Sequence, residues 1–352
     1  MSVAWRLGGF AAARLGEESQ VAAGVLGAVF WNDRRGRARV PWLIAIPLVG
    51  AFVATSAGEL VPGELPLPMA ALVASGAPAL VAVVLIIASH RWLGGRRLVD
   101  YGLVIDRRWL VDLVAGLGIG LAAVAIPFLT AIGAGRAEIV ALFDAGDLAL
   151  WPGVGLYVVA MLFTGFWEEL VIRGVVLCNA ADGFRRWLTP HRAVVGALAL
   201  SSLLFAVGHL GQTGVSATLL TFILSGVVLG VVYLFSGNLA LVIGAHAAFN
   251  ITSNTLFARA GEASDGLSAI MRVQVDPTSA LLGSGGILEF AAFTLVGLLG
   301  LLWLRYSRGR LWMDLSPLRL DGEPDLTVRT GPSSSDGPRR PGALDAGVDG
   351  GP

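Results

Sequence analysis

Leu162-Phe163-Thr164-Gly165-Phe166-Trp167-Glu168-Glu169-Leu170-Val171-Ile172-Arg173-Gly174-Val175-Val176-Leu177 sets two carboxylates and a guanidinium inside an otherwise apolar run. The run extends over about residues 153–178, long enough as a helix to cross a bilayer, which takes roughly 20 residues. An ionisable group at that depth costs roughly 2.5–3.5 kcal/mol on insertion scales, so each one calls for a functional reading. Helical spacing then sorts the three. Glu169 and Arg173 are four apart and share a face, where they can pair. Glu168 points about 100° away and is left to face another helix.

Seven further apolar runs flank this one, at 40–58, 69–89, 110–132, 193–210, 215–235, 239–256 and 287–304. Breakers separate them, such as Pro62, Pro66 and Pro68 after the first and Ser236-Gly237-Asn238 before the run at 239. The expectation is an all-α integral membrane protein of about eight transmembrane helices. Hydrophobic residues make up 55% of the 352 and charged ones 14%, against about 25% charged in soluble domains, so an ordinary soluble enzyme is excluded. The formal charge is zero, with 25 basic and 25 acidic residues, which leaves no basis for nucleic-acid binding. The single cysteine, Cys178, rules out an intrachain disulfide framework and reads as a small buried hydrophobe.

Arginine placement orients the chain. Arg34, Arg35, Arg37, Arg39, Arg91, Arg96, Arg97, Arg107, Arg108, Arg185, Arg186, Arg192, Arg305, Arg308 and Arg310 fall in alternate connectors. The intervening loops hold only Arg136, Arg259 and Arg272. Both termini are therefore expected in the cytoplasm of a multi-pass cell-membrane protein. Residues 1–39 are expected as a cytoplasmic or interfacial segment, with Trp5, Leu7 and Phe10 on a surface helix instead of a cleaved signal. Residues 40–304 form the membrane domain, and 305–352 a disordered tail rich in Pro, Gly, Ser and Asp. The loop 257–286 is expected to face outward. Trp92, Trp109 and Trp151 read as belt residues at the interface, and His90 and His191 as solvated.

Two more polar groups sit in the runs: Phe205-Ala206-Val207-Gly208-His209, and His246-Ala247-Ala248-Phe249-Asn250. Phe205 lies one turn before His209, where its ring can pack on the imidazole. His246 and Asn250 share a face. Glu168 lies 21 residues before Thr189 and His209 lies 20 after it, so a helical hairpin turning there puts both about 30 Å from the turn. His246 is only about 13 Å past Gly237 by the same rise, so the heights agree if that hairpin protrudes into the cytoplasm. Singly, each polar residue is explained by helix packing; two acids, two histidines, Arg173 and Asn250 together are not.

Glu-Glu-x-x-x-Arg, then Phe-x-x-x-His, then His-x-x-x-Asn, in this order on successive hydrophobic helices, resembles the CPBP family of CAAX proteases and bacteriocin-processing enzymes, which includes the type II CAAX prenyl endopeptidases. The resemblance covers about residues 98–256, with Tyr101-Gly102 similar to the family's first segment. It implies an intramembrane endopeptidase opening toward the cytoplasm, acting on a membrane-associated peptide or lipidated protein. For such enzymes both a metalloprotease and a metal-free, glutamate-dependent mechanism have been put forward. From the residues themselves, Glu168 suits the general base, with His209 holding the water. His246 and Asn250 suit the oxyanion, and Glu169 with Arg173 supports the helix. In a zinc version His209 and His246 are ligands, with Glu168 or Glu169 as a third, but no His-Glu-x-x-His motif is present and the metal-free arrangement is favoured. The rival readings are a non-catalytic scaffold or bacteriocin-immunity protein and a proton-coupled transporter.

Overall fold

The structure, a computed structural model, describes residues 27–57, 65–210, 217–261, 266–275, 286–309, 311–313 and 318. The apolar runs are helices: α1 Val40–Ala57, α2 Leu67–Leu93, α3 Arg107–Gly133, α4 Leu150–Glu169, α5 Cys178–Phe184, α6 Pro190–Gly208, α7 Ala217–Ser236, α8 Ala240–Ile251 and α9 Ile287–Arg308. Local signals set their ends. Asp106 caps α3 by accepting the Trp109 backbone N–H at 2.7 Å, and Gly94 closes α2 in the left-handed conformation at φ +66°. Pro190 opens α6 where its missing N–H costs nothing.

Among the described residues, six helices are long and apolar enough to cross a membrane: α2, α3, the α4–α5 rod, α6, α7 and α9. The expected eight includes two that fall short. α1 is a shorter apolar helix. α8 has 12 residues, about 18 Å at 1.5 Å each, well under the roughly 30 Å of a hydrocarbon core. Its apolar character has another cause: Ala240 through Phe249 are all buried within the protein. A sequence window cannot tell burial in protein from burial in lipid.

α8 is gripped by α3 and α4 through glycines. A Cβ on Gly116 or Gly120 of α3 would collide with the backbone carbonyls of Leu241 and Ala245, and one on Gly244 with that of Leu113. Gly116 and Gly120 stand four apart, the small-residue spacing that lets helix backbones touch. On the α4 side a Cβ at Gly165 would lie 2.9 Å from the Ile243 carbonyl oxygen. Outward-facing side chains such as Val53, Leu80, Val114 and Leu121 remain exposed, as lipid-facing residues are.

Two elements depart from an all-helical reading. The loop expected over 257–286 contributes β4 (Ala258–Arg259) and β5 (Ala269–Val275) to a sheet with β3 (Ala137–Asp144), in the order β3-β5-β4. β3 runs antiparallel to β5, with Ala137 opposite Val275 and Asp144 opposite Ala269. At the other end of the molecule, β1 (Trp31–Asn32) and β2 (Arg37–Ala38) form a hairpin. It sends Arg35 and Arg37 to Asp182 at the end of α5. The helix expected around Trp5, Leu7 and Phe10 lies outside the described residues, as do 319–352 of the tail. Leu318 is buried, and its carbonyl accepts a hydrogen bond from Arg96 at 3.2 Å.

Trp92 and Trp151 are exposed, as belt residues are, but Trp109 is buried, 8% accessible. Asp106 holds its backbone and turns it inward at the first turn of α3. His90 and His191 are exposed as expected, and Cys178 is buried.

Gly120→Val drives a branched side chain into the α8 backbone and should cost about 1–3 kcal/mol by overpacking. Gly118→Ala, with open space around it, should leave the detergent-solubilised melting temperature unchanged. At the sheet, the Arg272 hydrogen bond holds the Asp144 carboxyl below the usual carboxylate range. The pair's contribution is present at neutral pH and above, and is lost as pH falls through that depressed value. Asp144→Asn should flatten this acid-side dependence in hydrogen exchange of β3 and β5.

Candidate active site

The rod that carries both glutamates is not a regular α-helix throughout. Leu170–Leu177, between α4 and α5, is π-helical, a widened stretch of a kind that recurs at functional sites. One of its carbonyls, that of Ile172, accepts from Ser201 Oγ of α6 at 3.2 Å. The whole rod, Leu150–Phe184, has 35 residues, about 52 Å at 1.5 Å per residue, so it outruns a hydrocarbon core.

Glu169 Oε1 accepts from Arg173 Nη1 at 2.9 Å, the pairing expected from the four-residue spacing. The same oxygen takes Nδ1–H of His246 at 2.7 Å. Glu169 and Arg173 are wholly buried. The glycine contact at Gly165, one turn earlier on α4, brings α8 close enough for His246 to reach this carboxylate. With Nδ1 committed to Glu169, the other ring nitrogen, Nε2, is turned toward Glu168 and stands 3.8 Å from its Oε2. That is too long for a hydrogen bond and short enough for both atoms to face one small group between them. Glu168 Oε2, Glu169 Oε2, and Arg173 Nε and Nη2 are buried with no protein partner among the described residues. Buried polar atoms left so require water or a polar ligand.

Phe205 of α6 is the hub of the other side. The Arg173 guanidinium lies over its ring, 4.5 Å from the centroid, the His209 ring is tilted against it at 4.7 Å, and the His246 ring meets it edge-on at 5.9 Å. His209 ends α6, donates Nδ1–H to the Phe205 carbonyl at 2.8 Å, and stacks on Phe222 of α7 at 4.2 Å. Asn250 sits one turn beyond His246, half-buried, and its side chain makes no hydrogen bond among the described residues.

Glu168, Glu169, Arg173 and His246 thus form one direct network, and His209 joins it through the Phe205 ring. Glu168's close neighbour is His246, while no hydrogen bond or ion pair joins Glu168 to His209 among the described residues. Sequence reasoning found every member of the network but missed its wiring, above all that Glu169 orients His246. It also missed Gly165, Ser201 and Phe222, of which only the glycine, one turn before Glu168, left a readable trace.

Zinc in catalysis takes three protein ligands and a water. Among the described residues no three His, Cys, Asp or Glu side chains are grouped to hold a metal ion. His246 Nδ1 and one oxygen of Glu169 are already spent on each other. The donor set does not fit the metal.

Residues 150–252 match the family model described as Type II CAAX prenyl endopeptidase Rce1-like. The matched segment runs from the start of α4 to just past α8 and contains all six polar residues above. No curated protein and no solved structure matches the chain. The match supports membership of the CPBP family for this multi-pass membrane protein.

Removing Glu169 strands a buried guanidinium, so Glu169→Gln should lower stability by about 3–5 kcal/mol, the usual cost of breaking a buried pair. Adding Arg173→Met removes the stranded charge, and thermal unfolding in detergent should show much of the loss recovered.

Proposed function

We propose that the chain is an intramembrane endopeptidase that hydrolyses a peptide bond in a membrane-associated substrate, such as a prenylated CAAX-type protein, with Glu168 as general base. The observation that carries this reading is the buried Glu168 Oε2, which has no hydrogen-bond partner among the described residues and faces His246 Nε2 at 3.8 Å, inside the segment that matches the Rce1-like family.

In the reaction, water adds to the scissile carbonyl carbon and its proton passes to Glu168. The carbonyl π electrons move to oxygen, where the charge needs donors placed in advance. His246 presents Nε2–H there in its doubly protonated form, which the Glu169 carboxylate at Nδ1 stabilises. Asn250, on the same face of α8, supplies a second N–H. Collapse breaks the C–N bond, and Glu168 returns the proton to the leaving amine. His209, fixed as a tautomer by the Phe205 carbonyl, offers its remaining nitrogen to the attacking water. Arg173 balances Glu169, so that the adjacent Glu168 is free for proton transfer. This donor set supports hydrolysis without a metal. The arginine-rich connectors support both termini lying in the cytoplasm of a cell-membrane protein.

Glu168→Gln should reduce cleavage of a lipidated reporter peptide by about 10²–10⁴-fold, the range for loss of a general base, with the melting temperature retained. His209→Ala should also abolish cleavage in folded protein. Full turnover by either variant would sink the assignment. Chelation should leave the wild-type rate intact, whereas a stoichiometric zinc that turnover needs would overturn the metal-free chemistry.

A further inference from the structure

We propose that β3, the strand between α3 and α4, is seated in the bilayer interface and holds the sheet to the membrane surface through Ile139, Val140, Leu142 and Phe143. The inference stands apart from the peptidase reading. These residues belong to the uncharged stretch 139–143, between Glu138 and Asp144, and each is 44% to 61% accessible. A regular strand turns neighbouring side chains to opposite faces. One of each pair would then go to the packed side of the sheet, where Ala137 lies with Phe128 and Val273.

Two departures prevent this. The register with β5 skips Val140, since Ile139 stands opposite Val273 and Ala141 opposite Arg272, which is a bulge. Phe143 has φ +56°, a left-handed conformation costly for a bulky side chain, and among the described residues no other non-glycine residue adopts one. Consecutive apolar side chains, Ile139 with Val140 and Leu142 with Phe143, are left outside as a result. Backbone strain of this kind collects where it serves a function.

Among the described residues β3 pairs with β5 alone, so its other edge is free. Apolar side chains on a free edge invite a second strand, but the bulge breaks the even row of backbone groups that such a partner needs. Lipid needs no register. Position points the same way. Residues 134–136 join the strand to α3 and residues 145–149 join it to the α4–α5 rod, both long and apolar enough to cross a membrane. At about 3.5 Å per extended residue, neither link carries its end of the strand more than about 20 Å from the helix. The exposed surface of α3 runs toward this point through Ile126 and Leu129, and Trp151, exposed in the first turn of α4, is placed as belt residues are. β3 thus continues a surface already turned to lipid. Its depth is bounded, because the N–H and C=O groups of the free edge need water that the hydrocarbon core lacks. The headgroup boundary meets both demands, with side chains dipping about 5–10 Å as those of surface-lying helices do.

The test is nitroxide labelling of the full-length chain in liposomes at Glu138→Cys, Val140→Cys and Leu142→Cys, one at a time. Cys178 is fully buried and stays unlabelled, and Val114→Cys on α3 supplies a lipid-facing reference. The ratio of collisions with oxygen to collisions with a water-soluble nickel chelate should be several-fold higher at 140 and 142 than at 138, and close to that at 114. Ratios at 140 and 142 equal to that at 138 would place the strand in water and overturn the proposal. Spin–spin broadening that vanishes on dilution with unlabelled chain would overturn it in favour of a second copy. Poor access to both reagents without broadening would overturn it in favour of cover by the chain itself.

Discussion

One oxygen, Glu169 Oε1, receives both Arg173 and His246, and the interior of the protein is arranged around that shared acceptor. Two unit charges 4 Å apart interact by about 4 kcal/mol at an effective dielectric of 20, four times the value in water. At that strength the guanidinium, the carboxylate and the imidazole cannot be placed independently. Three elements must meet: α4 brings Glu169, the π-helical turn brings Arg173, and α8 brings His246. The Phe205 ring then closes the fourth side beneath the guanidinium, where a cation over an aromatic face is itself favourable.

That meeting point exists because backbones can touch. A branched residue at position 165 would hold α8 away from α4, and with it His246 from Glu169. Gly116, Gly120 and Gly244 do the same between α3 and α8. In lipid, where apolar surface gains little by turning inward, such close packing supplies much of the drive for helix association. The glycines of the chain therefore belong to the site as well as to the fold.

Much of this was legible in the sequence, for identifiable reasons. Charges inside apolar runs are rare, so Glu168, Glu169, Arg173, His209 and His246 stood out, and the four-residue rule paired Glu169 with Arg173 directly. What spacing along one helix cannot show is which residue of another helix arrives there. Hence the bond from His246 to Glu169 was invisible. The failure at α8 has the same root, since hydropathy scores a helix sheathed in protein and one sheathed in lipid alike. β4 and β5 were hidden in a loop because two residues, or seven, carry too little periodicity to announce a strand without the neighbour that pairs with them.

Two consecutive carboxylates in a low-dielectric site look wasteful until their environments are compared. Side by side and unbalanced, they would repel by several kcal/mol, and one would bind a proton and drop out of the chemistry. Here the 100° turn between neighbours on a helix divides them. Glu169 points to Arg173 and His246 and is balanced by them, while Glu168 keeps an oxygen toward His246 Nε2 with no hydrogen-bond partner among the described residues. A single glutamate could not do both: bound to the arginine it would be too occupied to take a proton, and unbound it would leave His246 without the acceptor that sets its orientation. On the proposed peptidase reading, the doublet divides two incompatible tasks between adjacent residues, and the arginine four positions on pairs with one of them and leaves the other to its own task.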